Sequence, residues 1–222
     1  MNGSPLEPAK IRVVSVFDRF VVIDKPAGLL SVPGVGPENQ DCAACQVCAT
    51  FPHATGPLVC HRLDQATSGL MVFALDVEAQ KLISLQFQRQ GVEKCYEALL
   101  RGTPSRQEGC VELPLRADWP NRPRQMVDVV DGRPARTLWR AIESGVEGTT
   151  RVEFRPTTGK THQLRLHAAT PEAQGGIGCP IVGDELYDPQ HPAPRLMLHA
   201  TRLRLSDPDT LRRVEFVSVC PF

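Results

Sequence analysis

No apolar stretch in this 222-residue sequence approaches the length a membrane-spanning helix needs, roughly 20 residues, which excludes a helical membrane protein. The opening MNGSPLEPAKIRVV lacks a charged segment followed by an apolar one, so no secretory leader is read there and a cytoplasmic location is expected. Net charge is lacking too: 25 basic and 25 acidic side chains sum to zero, so the total gives no argument for a polyanionic partner. Internal repeats, low-complexity tracts and an obvious linker are absent, so a single domain over 1–222 is expected, with its core at about 11–218. Lysine is scarce: the 25 basic residues include only Lys10, Lys25, Lys81, Lys94 and Lys160.

The remaining 20 basic residues are Arg, whose planar fork of donors suits phosphates and base edges. Between Arg116 and Arg140 six Arg face three acids (Asp118, Asp128 and Asp131), a local excess of three. This segment is a candidate anion-facing arm, although a solvated face with ion pairs has the same composition. Hydrophobic content of 41% and charged content of 23% are ordinary for a globular chain long enough to bury a core. The 8 cysteines read as reduced thiols. Cys42, Cys45 and Cys48 have a spacing found in iron–sulfur proteins but lack the usual fourth Cys-Pro. They are read as packing residues on a helix N-capped by Asp41.

Local patterns suggest a strand-rich chain. IRVVSVFDRFVVID reads as strand, turn, strand around Asp18-Arg19. KPAGLLSVPGVGPEN is a Pro- and Gly-rich loop of the kind that lines clefts. LVCHRLDQATSGLMVFAL reads as strand, loop, strand with Thr67-Ser68-Gly69 as the turn. VEAQKLISLQFQRQG reads as a helix stopped at Gly91. KCYEALLRG, TRVEFRP, RLMLHATRLRL and RRVEFVSV read as strands, with a helix-capable segment from about Thr161. Regular βαβ alternation is missing, so the expected class is α+β with a mixed, mostly antiparallel sheet flanked by helices and loops around a cleft.

Several catalytic patterns fail. The GKT at 159–161 has Phe154 where a P-loop requires Gly, the six His form no H-E-x-x-H, and no G-x-S-x-G surrounds Ser68. Asp64 is different. It sits at the end of the expected strand with Arg62 two residues earlier, so alternation places both on one face. On these residues alone, a structural ion pair, a metal site and a catalytic carboxylate all remain open.

HRLDQATSGLMVFAL, together with VVIDKPAGLLSVPG, KCYEALLRG, RPTTGKTHQLRLHAA, PIVGDELYD and RLMLHATRL in that order, resembles the RluA family of pseudouridine synthases from about residue 13 to 217. ELPLRADWPNRPRQ is further similar to the subgroup typified by the family's namesake, whose members act on transfer RNA and large-subunit ribosomal RNA. The resemblance implies a pseudouridine-synthase fold, an isomerase that needs no cofactor or metal, and structured RNA as partner. It assigns the essential carboxylate to Asp64, its basic partner to Arg165, the ring that stacks on uracil to Tyr96 and an apolar pocket wall to Leu198. Arg62 would hold or replace the extruded nucleotide, offsetting an unstacking cost of a few kcal/mol. Arg116, Arg122, Arg124 and Lys160 are candidate RNA contacts, Lys160 standing where the family usually has Arg. No S4-like domain, no membrane and a monomer are expected. The rival readings are an RNA-folding chaperone with secondary catalysis and, on the cysteines alone, a metal or redox sensor.

Overall fold

The computed structural model describes residues 9–56, 58–144 and 148–222; residues 1–8, part of the expected single domain, lie outside them. The β-rich runs around Asp18-Arg19 form β1 (Arg12–Val16) and β2 (Phe20–Lys25), and β2 pairs antiparallel with β3 (Ser68–Ala74). Six further strands follow: β4 (Glu93–Arg101), β5 (Glu108–Glu112), β8 (Arg136–Ser144), β9 (Thr149–Pro156), β10 (Leu198–Ser206) and β11 (Arg213–Val217). They complete a nine-stranded sheet in the order β1-β2-β3-β10-β4-β9-β8-β5, with β11 against β10. The short strands β6 (Leu115–Ala117) and β7 (Gln125–Val127) make a separate hairpin. Pairing is antiparallel everywhere except between β3 and β10, as the α+β expectation requires.

The central strands are buried on both faces. Val21, Ile23, Met71 and Phe73 pack with Leu63 and with Ala43 and Val47 of helix α1 (Ala43–Thr50). Their neighbours Phe20, Val22, Leu70 and Val72 pack with Leu203, Leu205 and Ile83 of helix α2 (Val77–Gln88). Side chains of period two thus serve two cores at once. A third core joins Ala98, Leu100, Val152 and Phe154 to Leu164 and Ala168 of helix α3 (Gln163–Ala169). The β3–β10 contact is close. Gly69 has φ +114°, and a Cβ there would lie 2.4 Å from the Ala200 carbonyl oxygen, so only Gly fits.

Three local expectations are corrected. Asp41 does not cap α1: Cys42 holds the N-cap position and its Sγ accepts the Cys45 N–H at 3.4 Å. Backbone bonds from Ala43 N to Leu30 O (2.8 Å) and Ala44 N to Ser31 O (3.2 Å) occupy the first helical donors, leaving Asp41 to accept from Gln46. Cys42 is buried but Cys45 and Cys48 are exposed, because a spacing of three drifts around the helix toward solvent. Residues 60–67 form no strand; only Val59 bridges to Phe73. His61 Nε2 accepts the Val72 N–H at 3.1 Å, a donor that a neighbouring strand would need. The tight turn is therefore Asp64–Thr67, closed by Thr67 N to Asp64 O at 3.1 Å, and Ser68-Gly69 already belong to β3.

Candidate active site

A cleft of about 1210 Å³ opens where the loop before β3, the strands β4 and β10, and the start of α3 converge. It exceeds the roughly 300–1,000 Å³ typical of small-ligand pockets. Asp64, Arg62, Tyr96, Lys160, Arg165 and Leu198 all line it. Residues far apart in sequence thus meet in one place.

Asp64 sits on a turn that is held from beneath. Lys25, at the end of β2, is fully buried and its ammonium donates to the carbonyls of Pro26 (2.9 Å), Leu29 (2.7 Å) and Gln65 (3.1 Å). Those bonds join the Pro-rich loop to the residue after Asp64. Burial lowers the Lys25 pKa to about 7, and the Asp64 charge opposes the shift. On the other side, the Ser31 hydroxyl donates to Leu63 O (2.6 Å) and accepts from Leu63 N (3.1 Å). The residues flanking Asp64 are fixed while its carboxylate remains about a quarter exposed, at 25%.

The ion-pair partner of Asp64 is Arg165 and not Arg62. Arg165 Nη1 lies 3.8 Å from Asp64 Oδ2, long for a hydrogen bond. The opposite edge of the guanidinium is engaged fully: Nε and Nη2 donate to Oδ2 and Oδ1 of Asp184 at 2.8 and 2.7 Å. Asp184 is itself fixed, since its Oδ1 accepts the N–H groups of Leu186 and Tyr187 at 3.1 Å each. A buried Arg clamped side-on can present only its free Nη1 toward Asp64. Arg62 is exposed on the cleft wall and forms no ion pair among the described residues.

Tyr96 faces the same space from β4. Burial first, and the Asp64 charge second, push its hydroxyl pKa upward, so the ring is neutral at physiological pH. Leu198 opens β10 opposite Ala98 of β4 and is 3% exposed, an apolar wall beside the ring. Gln163 shapes the turn bearing Lys160: its side-chain oxygen accepts from Lys160 N (3.0 Å) and Thr158 Oγ1 (2.8 Å) while its amide donates to Arg136 O and Thr137.

The β6–β7 hairpin stands beside the cleft, with Pro123 on its rim. Arg116 pairs with Asp128, while the Arg122 and Arg124 guanidiniums lie over the rings of Trp119 (4.1 Å) and Tyr187 (5.5 Å). The Tyr187 hydroxyl accepts from Gln125 N at 2.8 Å and is 2.9 Å from His162 Nδ1. Its ring also lies 5.4 Å from the Arg165 guanidinium. Asp184, Lys25, Gln163 and Tyr187 escaped sequence reasoning. Asp184 and Tyr187 stand in the quoted PIVGDELYD, but one Asp among 25 acidic residues carries no spacing signal of its own.

The cleft thus brings together a carboxylate, a clamped Arg and a neutral aromatic ring. A family model described as RNA pseudouridylate synthase matches residues 19–170. The chain is 40% identical over 210 residues to the dual-specificity RNA pseudouridine synthase RluA of Escherichia coli, covering 93% of this chain and 92% of that one. It is 40% identical over 215 residues to the protein of that name from Pasteurella multocida, covering 96% and 94%. Among solved structures, human RNA pseudouridylate synthase domain containing 1 superposes with a TM-score of 0.76 at 28% identity, over 100% of this chain and 87% of that chain. The chain belongs to the RluA family of RNA pseudouridine synthases, enzymes that isomerise uridine in RNA to pseudouridine.

Proposed function

We propose that Asp64 is the catalytic carboxylate of this isomerase and that Arg165, Tyr96, Arg62 and Leu198 bind the target nucleotide. The observation that carries the assignment is the convergence of Asp64, Arg165 and Tyr96 in one cleft from a turn, a helix and a strand. Asp64 meets the extruded nucleotide at its ribose, as attacking group at C1′ or as base at C2′, and either role needs an ionised carboxylate. The N1–C1′ bond breaks, the uracil turns between Tyr96 and Leu198, and a C5–C1′ bond forms. The C5 proton leaves and N1 gains one, so the reaction is balanced without an oxidant or metal. Arg62, exposed beside the turn, takes the space the base vacates.

The substrates are structured RNAs, transfer RNA and large-subunit ribosomal RNA, in keeping with the dual specificity named for the bacterial relatives. Lys160, Arg122 and Arg124 contact phosphates there, with Arg116 supporting the hairpin through Asp128. We further propose one catalytic domain acting as a monomer in the cytoplasm, where its 8 free cysteines stay reduced. Incubation with stem-loop transcripts, followed by carbodiimide block of reverse transcription, tests the assignment: wild type yields pseudouridine and Asp64→Asn yields none. Equal product from both would remove Asp64 from the chemistry. Full rescue of a deletion phenotype by Asp64→Asn would favour an RNA-folding chaperone.

A further inference from the structure

The two tryptophans of this chain have opposite environments. Trp139 lies in the core at 8% exposure, whereas Trp119 is 64% exposed. An exposed Trp offers a flat face for stacking, and here Arg122 covers only one side of the ring. Trp119 is not on a loose tail. It begins a 3-10 turn at the tip of the β6–β7 hairpin. The tip is closed by backbone bonds from Asp118 N to Arg124 O, Asn121 N to Asp118 O and Arg124 N to Asn121 O, each 3.0 Å. The hairpin is pinned to the body through Gln125 N and the Tyr187 hydroxyl at 2.8 Å. The ring is therefore presented on a supported arm.

Its surroundings define the ligand. The Arg122 guanidinium lies 4.1 Å from the Trp119 ring centroid, so the arm tip pairs an aromatic ring with a cation. Arg124 adds a second cation, and Asp118, the single acid at the tip, is engaged with Asn121 at 3.0 Å. An aromatic face beside a cation matches a nucleobase with its phosphate. The base must be unpaired, because bases inside a duplex hide their faces in the stack. Pro123 lines the catalytic cleft but Trp119 does not, so the ligand is a neighbour of the target uridine and not the uridine itself.

We propose that Trp119 and Arg122 form a second nucleobase platform, outside the target pocket, that stacks an unpaired base of the substrate loop. The platform rests on the RNA-isomerase reading and extends it to substrate choice. It makes loop architecture, in addition to the identity of the target, a condition for tight binding.

Intrinsic fluorescence reads this directly, because the exposed and the core tryptophan respond differently to a ligand. A short RNA stem-loop with uridines in its loop is titrated into wild type, Trp119→Ala and Trp119→Phe, with a blunt RNA duplex as control. The stem-loop quenches wild-type emission and does not quench Trp119→Ala. Its Kd rises about tenfold in Trp119→Ala and less than about threefold in Trp119→Phe, which keeps an aromatic face. The duplex binds wild type and Trp119→Ala equally. Circular dichroism of Trp119→Ala checks that the fold persists, and Trp119→Phe carries the test if it does not. Wild type that binds and converts the stem-loop without quenching, or Trp119→Ala with wild-type Kd, overturns the platform alone. Wild type that neither binds nor converts any stem-loop overturns the RNA reading and the platform with it.

Discussion

Arg165 faces two carboxylates, and the asymmetry between them decides what it can do. Asp184 holds Nε and Nη2 at 2.8 and 2.7 Å, while Asp64 stands 3.8 Å from Nη1. Asp184→Asn retains the oxygen that accepts from Leu186 and Tyr187 but removes the charge that fixes the guanidinium. We expect kcat to fall about 10- to 100-fold with RNA affinity little changed, since about 1 Å of misplacement costs on the order of 10²-fold. If Asp184 acts through Arg165, combining it with Arg165→Lys gives a double variant scarcely slower than Arg165→Lys alone. Multiplying losses would instead show an independent structural defect. The sequence pointed to Asp64, Tyr96 and Arg165 because they sit in ordered motifs. It could not rank the partners of Arg165, because pairing across a fold leaves no periodic trace. The bare reading of Arg62-x-Asp64 as an ion pair failed because it assumed a strand, and alternation has no meaning on a turn.

The strands and helices were largely readable, since alternation and caps are local. Asp76, for example, caps α2 by accepting the N–H groups of Glu78 and Ala79 at 2.9 Å each. Which elements touch was not readable, because β10 finds β3 from more than a hundred residues away. That junction is testable. Gly69→Ala places a methyl against the Ala200 backbone and forces a left-handed φ on a side chain, so urea denaturation should show a loss of about 2 kcal/mol or more. The β6–β7 hairpin provides a second test. Tyr187→Phe deletes the acceptor of the Gln125 N–H, costing about 1–3 kcal/mol locally. Hydrogen exchange should then accelerate at Gln125 and across 115–127 while the central sheet stays protected.

The whole molecule carries buried neutral histidines. His167 and His199 are 0% and 2% exposed, and burial lowers both pKa values to about 4. Unfolded, each titrates near 6.5, so between pH 6.5 and 4 the unfolded chain binds more protons than the folded one. Stability is therefore lost as pH falls through that window, by roughly 2 kcal/mol for each histidine at pH 5. Thermal melts at pH 7 and pH 5 check the slope, and His167→Gln should flatten it. RNA affinity should also fall, on the order of tenfold or more, between about 50 and 200 mM salt, despite a net charge of zero, because the cations are clustered.

The lone parallel junction bears on how the enzyme comes into being. Strand β10 slots between β3 and β4, although both precede it by about a hundred residues. Until residues 198–206 arrive, the sheet is two separate pieces and the turn bearing Asp64 lacks its opposite wall, Leu198. A chain emerging from the ribosome N-terminus first therefore has its Asp64 turn and its Tyr96 strand long before it has a pocket. Molecules cut before residue 198 should hold the Asp64 turn without a closed pocket, so catalytic competence cannot precede the synthesis of β10.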